Sequence, residues 1–559
     1  MRKLTTTPKV IAAAILIFTA CNVYSQVSPI IIDNIRLYDP SVKDSRKVSF
    51  NPKLDDSLRI VPQMNYIIYP KKVETAYTPE SIKPAKISGM PLPKLYKSLF
   101  KAGIGTYTTP LFEFSMNTLR SSKQSMGVDF HHLSSSATMK NKGYSGYSEN
   151  NIKLHASRFL DKSVMNAGMN FNRDVVHYYG YDAVMYPEIK KDSTRQRYSR
   201  VAAHIGFNSN LPDTNRFRYS TNFGFRNTSN LENTSENNIS LNGNISKGVN
   251  WLDKVKGEQF NLGLDVNFYS LNDTSAKTMN SAIAALYPTL TLGLKDVKVT
   301  GGLRGNISAD SSSEMKVFPV LDVAVHVAGN IVILYGGLDG GFKRYTFDEL
   351  TAENPFCNAV PAARTSSQKM GFHAGFRGLL ATNISFDLRI TNAEWNAMPF
   401  FVTDTSVSLQ NKFSVIYDKV NMMRFHAELL YHQWEKFSVL AYADYDTYKM
   451  DSELFPWMRP DITAGVNFRY NLKDKILARL NVAYVGERKA KTFGAFGAAN
   501  DHYLKINPYM ELSLGLEYRY SKILSFFLSG NNLTGNRYYQ WNYYPSQRFS
   551  ILGGLTYAL

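Results

Sequence analysis

Beyond its N-terminal stretch the chain has no run approaching the roughly 20 apolar residues that a membrane helix needs. A helical membrane protein is excluded, and strands are the remaining way to satisfy every backbone group in lipid. Cysteine is nearly missing, with only Cys21 and Cys357 in 559 residues. Cys21 falls in the N-terminal apolar segment and Cys357 in a long loop. No disulfide is expected, and metal sites built on cysteine are excluded by number. The 10 histidines and 46 carboxylates show no spacing that marks a nucleophile with its base, or a pair of acids. No enzyme, cofactor or metal site is expected. Clustered positive charge is lacking as well. The formal net charge is +18, yet Lys and Arg are scattered among turns and inward strand positions. That argues against nucleic acid and for a basic exterior facing outer-membrane lipid and anionic lipopolysaccharide.

Aromatic residues are what the chain has in quantity. They make up 13% of it, while mean hydropathy is slightly negative at -0.26. Strands with one lipid-facing and one wet face have this composition. In the tail, Met510, Leu512, Leu514, Leu516, Tyr518 and Tyr520 alternate with Glu511, Ser513, Gly515, Glu517 and Arg519. Period two is the pleat of a strand. The chain turns at Ser521-Lys522, rises through Leu524, Phe526 and Leu528, and finishes through Ile551, Gly553, Leu555, Tyr557 and Leu559. An apolar strand running to the last residue is how a barrel closes on its first strand. Phe100 to Ile104, Met165 to Phe171, Phe260 to Phe268 and Ile476 to Tyr484 repeat the alternation. Each run is expected to be about 9–11 residues, enough to cross a bilayer at a tilt.

Connections alternate in length. Leu160 to Ser163, Leu294 to Val297 and Leu380 to Asn383 are tight and read as periplasmic. Asp174 to Gln196, Arg344 to Ser367, Thr447 to Pro460 and Gly486 to Leu504 are long and read as extracellular. The parity holds only if Phe413 to about His432 is one long strand. The expected fold is all-β: a transmembrane antiparallel β-barrel of about 22 strands, wide enough to need a plug, with a short N-terminal periplasmic segment.

Residues 1–25 read as an export signal, with Arg2, Lys3 and Lys9 before the apolar Val10 to Ala20 and a cut after Ser25. Phe18-Thr19-Ala20-Cys21 leaves lipoprotein processing as the alternative. Residues 26–97 are proline-rich and alternate poorly, and read as a periplasmic arm or reduced plug. Residues 98–559 form the barrel.

The ending Ser529-Gly530-Asn531-Asn532-Leu533-Thr534-Gly535-Asn536-Arg537-Tyr538-Tyr539, followed by Pro545-Ser546-Gln547-Arg548-Phe549 and a final strand, resembles the C-terminus of TonB-dependent receptors. The Tyr- and Asn-rich style is similar to outer-membrane proteins of the Bacteroidota. The resemblance implies an outer-membrane barrel for uptake or passage of a solute. Residues 26–97 are shorter than the family's plug domain, and Pro29-Ile30-Ile31-Ile32 matches a TonB-contact box poorly, which puts TonB coupling in doubt. The alternative function is a non-transporting barrel that serves as a subunit or scaffold of an outer-membrane assembly. A surface lipoprotein, which would fit uptake, or other outer-membrane subunits are the candidate partners.

His177, Tyr178, Tyr179 and Tyr181 in one outer loop, and Trp541, Tyr543 and Tyr544 in the last, are candidate ligand contacts, since amphipathic aromatics grip polar ligands well. Packing between loops is the competing reading. Asp265, Arg479, Glu511, Glu517 and Arg519 are expected to face the lumen, where they would tune passage or hold the arm. His131-His132 cannot share an ion, because strand neighbours point to opposite faces. Asp310-Ser311-Ser312-Ser313-Glu314 fits no established calcium loop and reads as a solvated turn.

Overall fold

The alternating segments pair as 22 antiparallel strands in one sheet. The first strand, Ser98–Gly105, pairs with Thr109–Asn117 on one side and with the last strand, Ser550–Ala558, on the other. The sheet is therefore a closed barrel. The computed structural model describes residues 95–211, 216–249, 256–273, 278–310, 313–327, 331–360, 362–492 and 503–559. The export signal, Cys21 and all but the last three residues of the 26–97 arm lie outside the described residues.

The barrel is apolar outside and polar inside. Phe112, Met126, Phe223, Phe268, Leu286, Phe372, Leu429, Leu516 and Leu528 are all exposed on the outer face. On the inner face amides bond to one another along the wall. Asn151 donates to Asn170 at 2.7 Å, Asn227 to Asn237 at 2.9 Å and Asn242 to Asp265 at 3.0 Å. A soluble sandwich would bury the first set and expose the second. This arrangement is a bacterial outer-membrane barrel.

The segment read as one long strand is one strand, Phe413–Gln433, of 21 residues. Strand lengths need a correction, however. They run from 8 residues in Ser98–Gly105 to that 21, where about 9–11 was expected. A bilayer dictates only the lipid-facing part, and a polar strand continues above it while its ladder partner does. So 447–450, placed in a loop from sequence, finish the strand Phe437–Met450. The same holds for Arg344 and Tyr345 at the end of Val332–Tyr345.

The one α-helix among the described residues, Phe347–Glu353, was not expected. Its signature was present: the Thr346 hydroxyl accepts from the Glu349 N–H at 3.1 Å, the Thr-x-x-Glu start of a capped helix. Buried apolar side chains collect among the outer loops. The first cluster holds Leu350, Cys357, Phe401, Phe413 and Tyr544.

Candidate functional site: a lid across the outer mouth

Three neighbouring strands slip register along one row. The shifts fall at Asp339/Gly341, at Gln368/Gly371 and at Trp395/Met398, and Gly341 stands opposite Gln368, which stands opposite Trp395. Aligned bulges bend a sheet. Above this row the hairpin made by Val332–Tyr345 and Arg364–Ala381 leaves the wall and crosses the lumen. Gly340 permits the bend, since a Cβ there would lie 2.5 Å from the Phe318 ring and 3.0 Å from the Lys369 carbonyl.

The crossing ends in charge pairs with strands that are not the hairpin's neighbours. Arg344 is almost fully buried, its side chain 2% exposed. Its guanidinium bonds Asp310 at 3.0 Å, lies 3.9 Å from Glu236 and stacks 5.4 Å from the Tyr269 ring centre. One turn on, Asp348 in the first turn of the helix accepts from Arg200 at 2.8 Å, Arg226 at 3.0 Å and Thr228 at 3.0 Å. Arg200 also holds Asp174 at 2.6 Å. At the far end of the helix Glu353 pairs with Arg459 at 2.7 Å. The helix is pinned at its start to the wall and at its end to the loop 451–461.

Glu236 lies above the bilayer, because Ile239 is the first exposed apolar residue of its strand. Burial pushes its carboxyl up to about 7, against the pull of Arg344. The 3.9 Å separation explains the balance: a distant, non-hydrogen-bonded partner repays only part of the desolvation. A carboxyl raised from 4.5 to about 7 contributes stability that is complete below 4.5 and lost as pH climbs through 7. The effect is on the order of 3 kcal/mol. Lid protection, measured by limited proteolysis of 354–363 against pH, should thus fall from pH 4.5 to 7. Glu236→Gln should hold it flat at the acid level; an unchanged slope would mean another group titrates.

Past the helix, 354–358 lies in a core of aromatic side chains. Tyr544, 1% exposed, stacks on Phe356 at 3.8 Å and meets Tyr179 edge-on at 4.8 Å. Trp541 packs on Phe401 at 5.1 Å and on Phe413 at 5.6 Å. Cys357 is fully buried. The Tyr178 hydroxyl donates to the Cys357 carbonyl at 2.9 Å, and that of Tyr179 to the Pro545 carbonyl at 3.0 Å. The Tyr544 hydroxyl donates to the Asn411 carbonyl. Nδ1 of His177 lies 2.7 Å from the Gly146 carbonyl, and Tyr181 is buried against Gly143. The structure therefore brings Tyr178, Tyr179, Trp541 and Tyr544 together around the lid, with the three tyrosine hydroxyls engaged on backbone. Tyr543 is different. It lines an outer cleft of about 630 Å3 with Lys142, Lys505 and Arg537.

The charges expected to face the lumen are partly paired. Arg304 lies 3.7 Å from Asp265, Tyr538 donates to Glu511 at 2.6 Å, and Ser525 donates to Glu517 at 2.9 Å. Arg519 lies 3.9 Å from Glu517 and 3.8 Å from Asp474. Arg479 is exposed. His131 lies 3.3 Å from Glu113 while His132 bonds Asn150, each on its own face. Asp310 serves Arg344 and Thr365, and Glu314 pairs with Lys316 at 2.5 Å. Arg344, Asp348, Glu236 and Arg200 were not singled out from sequence. Only the helix cap pointed toward them.

The class is thus a 22-strand outer-membrane barrel whose outer mouth is crossed by its own loops. No protein-family model matches the chain, and no curated protein matches it. Solved structures do. The ferric enterobactin receptor of Pseudomonas aeruginosa superposes with a TM-score of 0.59 at 14% identity, over 83% of this chain and 80% of that one. The ferric-catecholate import receptor Fiu of E. coli gives 0.60 at 11% identity, over 84% and 82%. The FrpB iron transporter of Neisseria meningitidis gives 0.62 at 9% identity, over 84% and 82%. These neighbours are receptors and a transporter, and at such identities what is shared is the fold.

Proposed function

We propose that the protein is a TonB-dependent-receptor-like barrel that takes up or passes a solute across the outer membrane, with the 346–363 loop as its outer gate. The observation that carries this reading is the lid itself. A polar lumen runs beneath a loop held by charge pairs and side-chain packing, contacts that can be broken and remade without unfolding the wall. The fold shared with iron-chelate receptors supports it. On this reading Tyr543 and its cationic cleft make first contact with the solute, lipid and lipopolysaccharide surround the wall, and TonB acts from the periplasmic side.

The test is single-channel conductance of the full-length protein and of a variant with 346–363 replaced by a short Gly–Ser linker. The native protein should be nearly silent and the variant should conduct. If opening instead requires removal of residues 26–97, the arm and not the lid is the gate. Silence in all forms would end the transport reading. It would favour a scaffold subunit, a role for which so fully buried a loop core is the supporting feature.

A further inference from the structure

One stretch of the wall lacks a strand neighbour. The twelfth strand, Ser313–His326, pairs with Val297–Ala309 along its whole length, up to Ala309↔Ser313. With the thirteenth strand, Val332–Tyr345, it pairs only from His326↔Ile333 to Leu321↔Leu338. Beyond Leu338 the thirteenth strand bends into the lumen with the lid. Among the described residues, no strand takes its place beside Ser313–Val320. Leu321 is the sixth residue up from the periplasmic end of its strand, and a strand needs about 9–11 residues to cross. The split therefore opens within the outer leaflet and continues to the rim.

Side chains, not backbone hydrogen bonds, close it. Phe318, 5% exposed, meets Phe342 edge-on at 6.3 Å. Lys316 lies 5.4 Å over the Phe342 ring and donates to Ser367 at 3.3 Å. Outside, Leu303, Ile307, Met315 and Val317 are exposed beside the split, Met315 at 70%. Inside, Lys316 pairs with Glu314 at 2.5 Å and Arg304 lies 3.7 Å from Asp265, so both signs of charge stand side by side. Pro319 sits midway along the free edge without an N–H to offer. Proline and lysine on an edge discourage a further strand from pairing there. An added β-strand from a partner protein is therefore disfavoured. Bare backbone facing hydrocarbon is costly unless it borders a cavity or polar groups, so the edge needs something polar passing or resting beside it.

We propose that the split between the twelfth and thirteenth strands is a lateral portal between lumen and outer leaflet, taking an amphiphile with one acyl chain and a zwitterionic head. The chain would lie along Met315, Val317 and Ile307, and the head would lie at the Lys316–Glu314 pair, its phosphate on Lys316 and its ammonium on Glu314. This goes beyond the gated-barrel reading and does not depend on the lid opening.

The test uses full-length protein in lipid vesicles doped with a lysophosphatidylethanolamine that carries one diazirine on its head group and a second in its acyl chain. After irradiation, adducts are mapped by mass spectrometry. Adducts are expected on the inward-facing Lys316, Phe318 and Phe342 as well as on outward Val317. None are expected on His204 or Asn222, which face the lumen where the wall is fully paired. A disulfide between Val320→Cys and Asp339→Cys, one rung above the last pair, should cut the inward adducts at least tenfold and spare Val317. Adducts on outward residues alone would overturn the portal. So would adducts on His204 and Asn222 equal to those on Phe318, since the probe would then have entered through the mouth. Failure of the conductance test would leave this outcome untouched.

Discussion

Arg344→Ala is expected to free the lid while leaving the barrel intact. Arg344 is the buried centre of a cluster with Asp310 and Glu236. Its removal leaves Glu236, itself 3% exposed, without its countercharge. Breaking a buried pair from one side costs about 3–5 kcal/mol. Cys357 reports the result, because it is fully buried in the closed lid and the only cysteine downstream of the predicted signal. Labelling of Cys357 on intact cells by a membrane-impermeant maleimide should rise by roughly two to three orders of magnitude. Migration of the unheated barrel in detergent gels should not change. Adding Glu236→Gln should recover part of the protection, since it removes the orphaned charge. If Arg344→Ala leaves Cys357 as protected as before, the charge cluster does not hold the lid.

Tyr544→Ala is expected to have a comparable effect by a different route. The substitution deletes the ring that stacks on Phe356 and meets Tyr179, in a site only 1% exposed. Large-to-small changes of this kind cost about 3–5 kcal/mol. Maleimide labelling of Cys357 should again rise by orders of magnitude. Tyr544→Phe keeps the stack, loses only the bond to the Asn411 carbonyl, and should cost about 1 kcal/mol. The two routes separate by pH. Glu236 still titrates beside Arg344 in the Tyr544 variant, so acid should tighten that lid as it tightens the native one. In Arg344→Ala the protection regained in acid should be larger, because protonation then neutralises an unpaired carboxylate. Equal acid gains in the two variants would show that Glu236 does not sense Arg344.

Much of the wall could be read from sequence because its signal is local and repeated. Met510 to Tyr520 needs only its own neighbours to declare a strand with one apolar face. Loop parity then placed Phe413–Gln433 as a single strand. The lid was hidden because its energy comes from residues far apart in the chain, Arg344 with Glu236 and Asp348 with Arg200. No periodicity links such positions. What sends the hairpin inward is a row of bulges set by packing between strands, as at Gly340 under Phe318. The loop aromatics were recognisable as a group, but a tyrosine that grips a ligand and one that packs a lid look alike in sequence. Tyr543 and Tyr544 are adjacent and end in different surroundings.

The seam carries a consequence for how the molecule is made. Lys97 and Ser98 donate to the Leu559 carbonyl at 2.6 and 2.9 Å, and Leu559 donates back to Ser98 at 2.8 Å. The two strands that complete the cylinder are thus separated by nearly the whole polypeptide. Until Ser550–Ala558 arrives, both borders of the growing sheet stand open, ready to join a second molecule as easily as each other. The chain must be kept apart from its copies throughout synthesis and transit. Insertion can finish only after the last strand is in hand, so premature termination anywhere upstream of it should yield an aggregating fragment and not a smaller pore.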